Sequence, residues 1–412
     1  MKKRFILLLL LPLLFVSCGE DFTSLSPISE RNAQNFYNTQ TDFEVAIAGA
    51  YDALQSNGTF GVNYILMLEM RADNGANGGG ATGLAASLEH LDTFQEISTA
   101  GELSRTWNDS YKGIARCNTI LSRIDAVDFT DSAVKDQIKG EALFIRSLLY
   151  YNLAVIFGNI PEQFEEVTSP NVAVNQVSAS VIYDHILTDL ADAETLLPKT
   201  PGDGRAAKYA AAALQGRIQL QAGNASAAVA PLQRVVDSHV YELVPNFSDL
   251  WGAANEGNIE SIFEVQYVSG GIGEGSAFTD MYTPNGVGGG VGGGVSPQSV
   301  TDDIIAAFDS TNDERFWATF DTVGQGPGNF WVKKFDSHPS NAFDAPNNWV
   351  EIRYAEVLLN LAEALGEGTD AYDLINEVRN RAGLADINAA SPGSFKEKLL
   401  KERRLEFAFE NK

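Results

Sequence analysis

Apolar residues recur at helical spacing along most of the chain. Phe43, Ala46, Ile47, Ala50, Tyr51 and Leu54 share one face, with Thr41-Asp42 offering an N-cap and Gly58 a stop. Trp107, Tyr111, Ile114, Asn118 and Leu121 predict a second helix. Val134, Ile138, Ala142, Ile145, Leu149 and Ile156 predict a third, ended by Gly158 and Pro161. Residues 181–197 predict a fourth, closed by Pro198. Two short helices then stand back to back, 205–221 and 225–238, around a turn at Gly223-Asn224. Gly216, Gly223 and Ala228 fall at the spacing of tetratricopeptide repeats, where small residues let paired helices approach closely. A looser pair, 350–365 and 369–382, returns late. The pattern predicts a mainly α chain of helical pairs in a right-handed, solenoid-like stack. One strand stands out, where Phe263, Val265 and Tyr267 alternate with Ile262, Glu264 and Gln266.

Three stretches break the helical pattern: 73–101, 269–298 and 321–348, all rich in small and polar residues. The middle one holds a glycine tract over 287–295. Loops this long in a helical domain are functional or disordered, and a mobile linker is the plain reading of the glycine tract.

The amino terminus has a different logic. Residues 5–16 are an unbroken apolar run behind Lys2-Lys3-Arg4, ending at Ser17-Cys18-Gly19. The run is shorter than the roughly 18–20 residues of a spanning helix, and it reads as a lipoprotein signal over 1–17. Small neighbours leave room for lipid transfer to the Cys18 thiol, and multiple acyl chains then anchor a protein stably. Glu20-Asp21 resembles the acidic export signal of surface lipoproteins in Bacteroidetes-type bacteria. Residues 18–40, with Pro27 and many polar side chains, read as a tether.

Composition narrows the function classes. With 44% hydrophobic and 10% aromatic residues the chain is globular, and 412 residues suggest two or three units. Net charge is −25, or about −28 once Lys2, Lys3 and Arg4 are removed, which repels phosphate backbones and excludes nucleic acid as a partner. Cys18 is consumed by lipidation, so Cys117 has no disulfide partner and reads as a small buried side chain. The histidines, His90, His185, His239 and His338, lack metal-binding spacing, and no HExxH, GxSxG or Walker-type loop is present. Asp309 to Asp313 has loose calcium-loop character but lacks the glycine and terminal glutamate. Glu356 and Glu363 share a helix face, yet seven residues give about 10.5 Å of rise, beyond the roughly 5–9.5 Å of a glycosidase pair. Ion pairing is the expected role for these two, and for Glu402, Arg403, Arg404 and Glu406. No cofactor is expected.

Several segments together resemble one family. In order they are Trp107-x-x-x-Tyr111-x-x-Ile114-x-Arg116-x-Asn118, 140–146 (GEALFIR), 157–161 (FGNIP), Asp189-Leu190-x-x-Ala193, Leu197-Pro198, 204–206 (GRA) and 312–315 (NDER). They continue with 353–364 (RYAEVLLNLAEA), 376–383 (NEVRNRAG) and Glu402-Arg403-Arg404-x-Glu406-x-x-x-Glu410. This order resembles the SusD/RagB family of outer-membrane lipoproteins over essentially the whole mature chain. The resemblance implies a tetratricopeptide-like scaffold with an irregular, loop-rich second half, divided into 41–260 and 261–412. It implies capture of nutrients, mostly oligosaccharides, at the cell surface, without chemistry, as a lid over a SusC-like TonB-dependent transporter. A peptide-binding member of the family is the first rival, and a lipid-anchored glycan hydrolase the second. In the family the Glu402–Glu410 motif runs on into an Arg-rich segment, whereas this sequence stops at Asn411-Lys412, which leaves the last helix short of packing partners.

A sugar site needs flat aromatic faces for the C–H surface of the ring and polar side chains for its hydroxyls. Candidates belong in loops, because aromatics at helical spacing, such as Trp107 and Tyr111, are core. Phe330, Trp331, Trp349 and Tyr282 follow or precede Gly, Pro and Asn clusters and are the aromatic candidates; packing under a loop is their alternative fate. Arg71, Asp73 and Asn74 open the first long loop and suit hydroxyl recognition, or capping of the segment before it. Trp317, close to Asp313 and Arg315, is expected to be buried.

Overall fold

The computed structural model describes residues 36–77, 83–169, 174–200, 202, 204–284, 287, 298–337, 339 and 341–412. The signal with Cys18, most of the tether, most of the glycine tract and His338 lie outside the described residues. Eight helices come first: α1 Gln40–Asp52, α2 Val62–Glu69, α3 Gly83–Asp92, α4 Gly101–Arg123, α5 Ser132–Phe157, α6 Ala179–Leu196, α7 Lys208–Gln221 and α8 Ala225–Val236. Three short ones follow, α9 Phe278–Tyr282, α10 Asp302–Ala307 and α11 Arg315–Thr319. Then come α12 Tyr354–Leu365, α13 Thr369–Arg381 and α14 Phe395–Glu406. The strands are short: β1 Gly75–Asn77, β2 Ile160–Pro161, β3 Gln176–Val177, β4 Ser261–Val265, β5 Gln298–Val300, β6 Phe320–Asp321, β7 Trp331–Val332 and β8 Trp349–Arg353. They pair antiparallel as β1–β5, β2–β3, β4–β8 and β6–β7.

Neighbouring helices pack in series: α4 on α5, α5 on α6, α6 on α7, α7 on α8, α8 on α12 and α12 on α13. The fold is mainly α and tetratricopeptide-like. Helix α5 sits between two partners, which explains why its residues from Ala142 to Tyr150 are buried on every face. It is long and apolar enough to cross a bilayer, but here it is a core helix. Arg146, within it, donates to Asp189 of α6 at 2.8 Å and to Asn118 of α4 at 2.9 Å, tying three helices through one guanidinium. Gly216 lies where α7 meets α8; a Cβ there would stand 2.3 Å from Leu232 Cγ, so only hydrogen fits.

The structure departs from the sequence pattern in four places. Helix α1 is capped by Thr39, two residues before the expected cap: its hydroxyl accepts the Asp42 N–H, and the Asp42 carboxylate accepts the Thr39 N–H at 3.0 Å. Residues 349–353 form β8 rather than the start of α12, because Val265 to Ser261 offer a partner edge that sequence spacing cannot see. Helices α2 and α3 were hidden by a weakly amphipathic run and by the glycine-rich stretch respectively. The last helix and the turn after it are well packed: Glu402, Glu406 and Glu410 are all buried.

What buries them is a charged core in the second half. Glu406 accepts from Arg353 at 2.5 Å, from Arg315 at 3.0 Å and from Arg381. Glu260 accepts from Arg353 and Arg381 at 2.8 Å each, and Glu410 from Arg353 at 2.8 Å and Lys334 at 2.9 Å. Burial penalises the Glu406 charge, but Arg381, Arg353 and Arg315 outweigh it and hold the carboxyl well below its usual range. As expected, Glu356 is an ion-pair residue, bonded to Arg217 at 2.6 Å. Glu363 lies near Arg403.

Candidate functional site

The three irregular stretches meet on one side of the helical stack. Strand β1, from the first, pairs with β5, from the second, through Gly75–Val300, Ala76–Ser299 and Asn77–Gln298. Thr301 extends the seam, its N–H donating to the Asn74 carbonyl at 3.1 Å and its hydroxyl to the Asp73 carbonyl at 2.9 Å. Strand β7, from the third stretch, runs beside β5, and Gly324 packs against Val287. Helix α14 braces the seam from below: Arg404 donates to Asn74 Oδ1 at 2.8 Å and to Asp303 at 2.6 Å. Loops fixed this way form a pre-organised rim.

Arg71 stands on that rim. Its guanidinium pairs with Glu96 at 3.0 Å and lies 5.4 Å from the centre of the Phe94 ring. Phe94 is 63% exposed and its φ is 52°, a left-handed backbone that costs a bulky residue free energy. A strained aromatic held in water beside a fixed cation is an arrangement that packing alone does not explain. Asn77 and Asp92 extend the polar surface: the Asn77 N–H donates to Asp92 at 3.2 Å and its amide to Glu89. Arg71, Asp73 and Asn74, the polar candidates, are thus brought together, with Asp73 exposed and Asn74 half-buried. They do not cap α2 with their side chains, whose bonds run to Glu96 and Arg404 instead.

The aromatic candidates fall elsewhere. Trp349 is 1% exposed and lies parallel to Phe335 at 5.7 Å, its indole N–H donating to Glu351 at 3.2 Å. Tyr282, buried, also stacks on Phe335, at 4.9 Å, and burial pushes its hydroxyl pKa far up. Trp331 is buried in β7, and Phe330 is half-buried, 5.5 Å from Phe316. Packing under a loop is the place that the structure gives Tyr282, Trp331 and Trp349. The cause is hydrophobic: Tyr282 and Trp349 join Phe335 in the same continuous core as the helices around them. Trp317 goes the other way. It is 54% exposed, because Arg315 and Phe316 of the same short helix take both inward directions. Phe94 carries little local signal: it is a lone aromatic between Thr93 and Gln95 in a polar stretch.

Elsewhere, Cys117 is fully buried and its thiol is pushed up to about 12 by burial. Among the described residues no three His, Cys, Asp or Glu side chains gather as a metal set, and Asp313 is spent on Arg315 at 2.8 Å. The site offers an aromatic face, hydrogen-bond donors and acceptors, and a braced backbone.

The structure is a stack of helical pairs carrying a braced, irregular rim. Two family profiles match: one described as starch-binding associating with outer membrane, over residues 29–220, and one of the SusD family, over 327–412. The chain belongs to the SusD/RagB family. It is 25% identical to SusD-like protein P25 of Formosa agariphila, across 96% of this chain and 85% of that one. Among solved structures, a laminarin-binding SusD-like protein superposes with a TM-score of 0.79 at 26% identity, covering 91% of this chain and 90% of its own. Surface glycan-binding protein A from Bacteroides fluxus gives 0.80 at 26% identity, covering 91% and 87%.

Proposed function

We propose that this protein captures an oligosaccharide at the cell surface, on the rim around Arg71 and Phe94. It passes the glycan to a SusC-like TonB-dependent transporter in the same outer membrane, moored there by lipid on Cys18. The observation that carries the reading is the exposed Phe94 ring held against the Arg71 guanidinium, with Asp73, Asn74 and Asn77 around it. The ring accepts the C–H face of a sugar, and the amides and charged groups meet its hydroxyls. The similarity to a laminarin-binding protein and to a surface glycan-binding protein supports a glycan over a peptide. Retention without turnover fits a rim that is open and braced rather than closed around a reacting bond.

Calorimetry with oligosaccharide and peptide panels tests this reading. Glycan binding that is lost on Phe94→Ala supports it. Peptide binding with no glycan binding overturns the sugar assignment, and hydrolysis of any glycan by the pure protein overturns the non-catalytic role. Co-purification with a transporter from the outer membrane tests the delivery step.

A further inference from the structure

We infer that the groove beside Trp317 is a second glycan-contact platform, separate from the Arg71 rim; the inference rests on the glycan reading above. Three observations converge. Trp317 projects from α11 with about half its surface in water, and the helix cannot turn to bury it. Arg315, before it, is locked to Asp313 at 2.8 Å and Glu402 at 2.7 Å, and Phe316 is packed edge-on to Phe308 at 5.8 Å. The indole is therefore held outward, with Phe316 and Phe330 as its ring neighbours among the described residues, at 4.9 and 6.3 Å. Ordering an aromatic ring before contact removes an entropy cost from binding.

Second, the ring borders a groove of about 440 Å³ lined also by Trp251, Glu314, Lys333, Lys334 and Asp336. That volume suits one or two sugar rings rather than a folded partner. Trp251 gives the groove a second, half-buried indole, held by Phe247 at 5.8 Å and Phe335 at 5.7 Å. Third, the lining carries Glu314, Asp336 and Lys333, while the Lys334 ammonium is fully buried against Glu410 at 2.9 Å. A lining with charges of both signs and no cluster of either favours an uncharged, hydroxyl-rich ligand over an ion. An indole face with short-range groups of both signs is the chemistry that binds a neutral pyranose: apolar C–H bonds on the ring, hydroxyls on the edge. Trp317, Trp251 and Glu314 lie outside the three stretches that build the Arg71 rim, so the two surfaces can be altered independently by substitution.

The test uses the mature chain and the variants Trp317→Ala, Trp317→Phe and Phe94→Ala. Retention is measured in gels containing laminarin, mixed-linkage β-glucan, xylan, starch or galactomannan, and hexasaccharides of the retained polymer are titrated by calorimetry. Trp317→Ala is expected to weaken retention on the polysaccharide by about tenfold or more, as loss of one of two linked contacts requires. It is also expected to reduce hexasaccharide stoichiometry from two to one, while Trp317→Phe keeps both contacts. Retention and stoichiometry equal to the parent's in Trp317→Ala, with all binding lost in Phe94→Ala, overturns the second platform and leaves the first intact. A parent that binds no polymer of the panel overturns the glycan reading and this inference with it.

Discussion

Arg353 and Glu406 face each other at 2.5 Å with almost no access to water, the arginine at the end of β8 and the glutamate at the end of α14. The pair joins the sheet to the last helix, and each partner is shared: Arg353 also holds Glu260 and Glu410, and Glu406 also holds Arg315 and Arg381. Removing one partner strands several buried charges. Glu406→Gln is expected to destabilise the protein by about 3–5 kcal/mol, the usual cost of breaking a buried pair from one side. A urea-unfolding midpoint unchanged from the parent's contradicts this.

The same carboxylates set the acid limit. Against the penalty of burial, neighbouring arginines hold Glu406 and Glu410 below their ordinary range, and Arg217 and Lys412 do the same for Glu356. The folded state thus binds fewer protons than the unfolded chain. The stabilisation is present above the unfolded glutamate value of about 4.3 and is lost as pH falls below it. Thermal scans are expected to show a steep fall in Tm below about pH 4, and a flat profile down to pH 2.5 argues against the network's role.

Glu69 runs in the opposite direction. Burial raises its pKa from 4.5 to about 7, although it accepts the Asn411 N–H at 2.8 Å; its other oxygen has no hydrogen-bond partner among the described residues. A raised carboxyl stabilises the fold at low pH and loses that contribution as pH rises through 7. Glu69→Gln is therefore expected to be more stable than the parent by about 3 kcal/mol at pH 8. The gain is expected to shrink toward zero near pH 5, and an equal gain at both pH values counts against this account.

Gly216 sits in a contact with no spare volume. Gly216→Ala improves helix propensity by about 1 kcal/mol, but its methyl meets Leu232. Overpacking costs about 1–3 kcal/mol, so the expected net effect is destabilising. A higher melting temperature for the variant shows that α8 can move aside.

Phe94 should matter to ligand and not to fold. Covering an aromatic ring stabilises by about 1.5–3 kcal/mol, so Phe94→Ala is expected to weaken glycan binding about tenfold or more. Its unfolding midpoint is expected to stay at or above the parent's, since the ring is 63% exposed on a strained backbone. Unchanged affinity moves the binding surface away from the rim.

Trp107, Cys117 and Gly216 show what periodicity reveals. Trp107 packs edge-on to Phe157 at 5.2 Å, Cys117 is buried, and Gly216 marks the close helix approach, all as spacing suggests. Trp349 and Trp317 show where it stops. Both are tryptophans beside polar residues, and one is sealed against Phe335 while the other stands in water. Nothing in the residues nearby separates them, because the separation comes from Phe335, Arg315 and Phe316 taking the available interior.

By itself the sequence determined the helical stack, since a 3.6-residue repeat of apolar side chains must bury one face wherever it occurs. It also determined the family, through motifs that are chiefly scaffold: Arg146, Arg353 and Glu406 are each spent on holding elements together. Tertiary structure alone decided which loop residues meet. Arg71 meets Phe94, and Asn74 meets Arg404, 330 positions away, beside the pairing of β1 with β5. Pairings across such distances depend on how the intervening helices close the chain, and no local pattern carries that information.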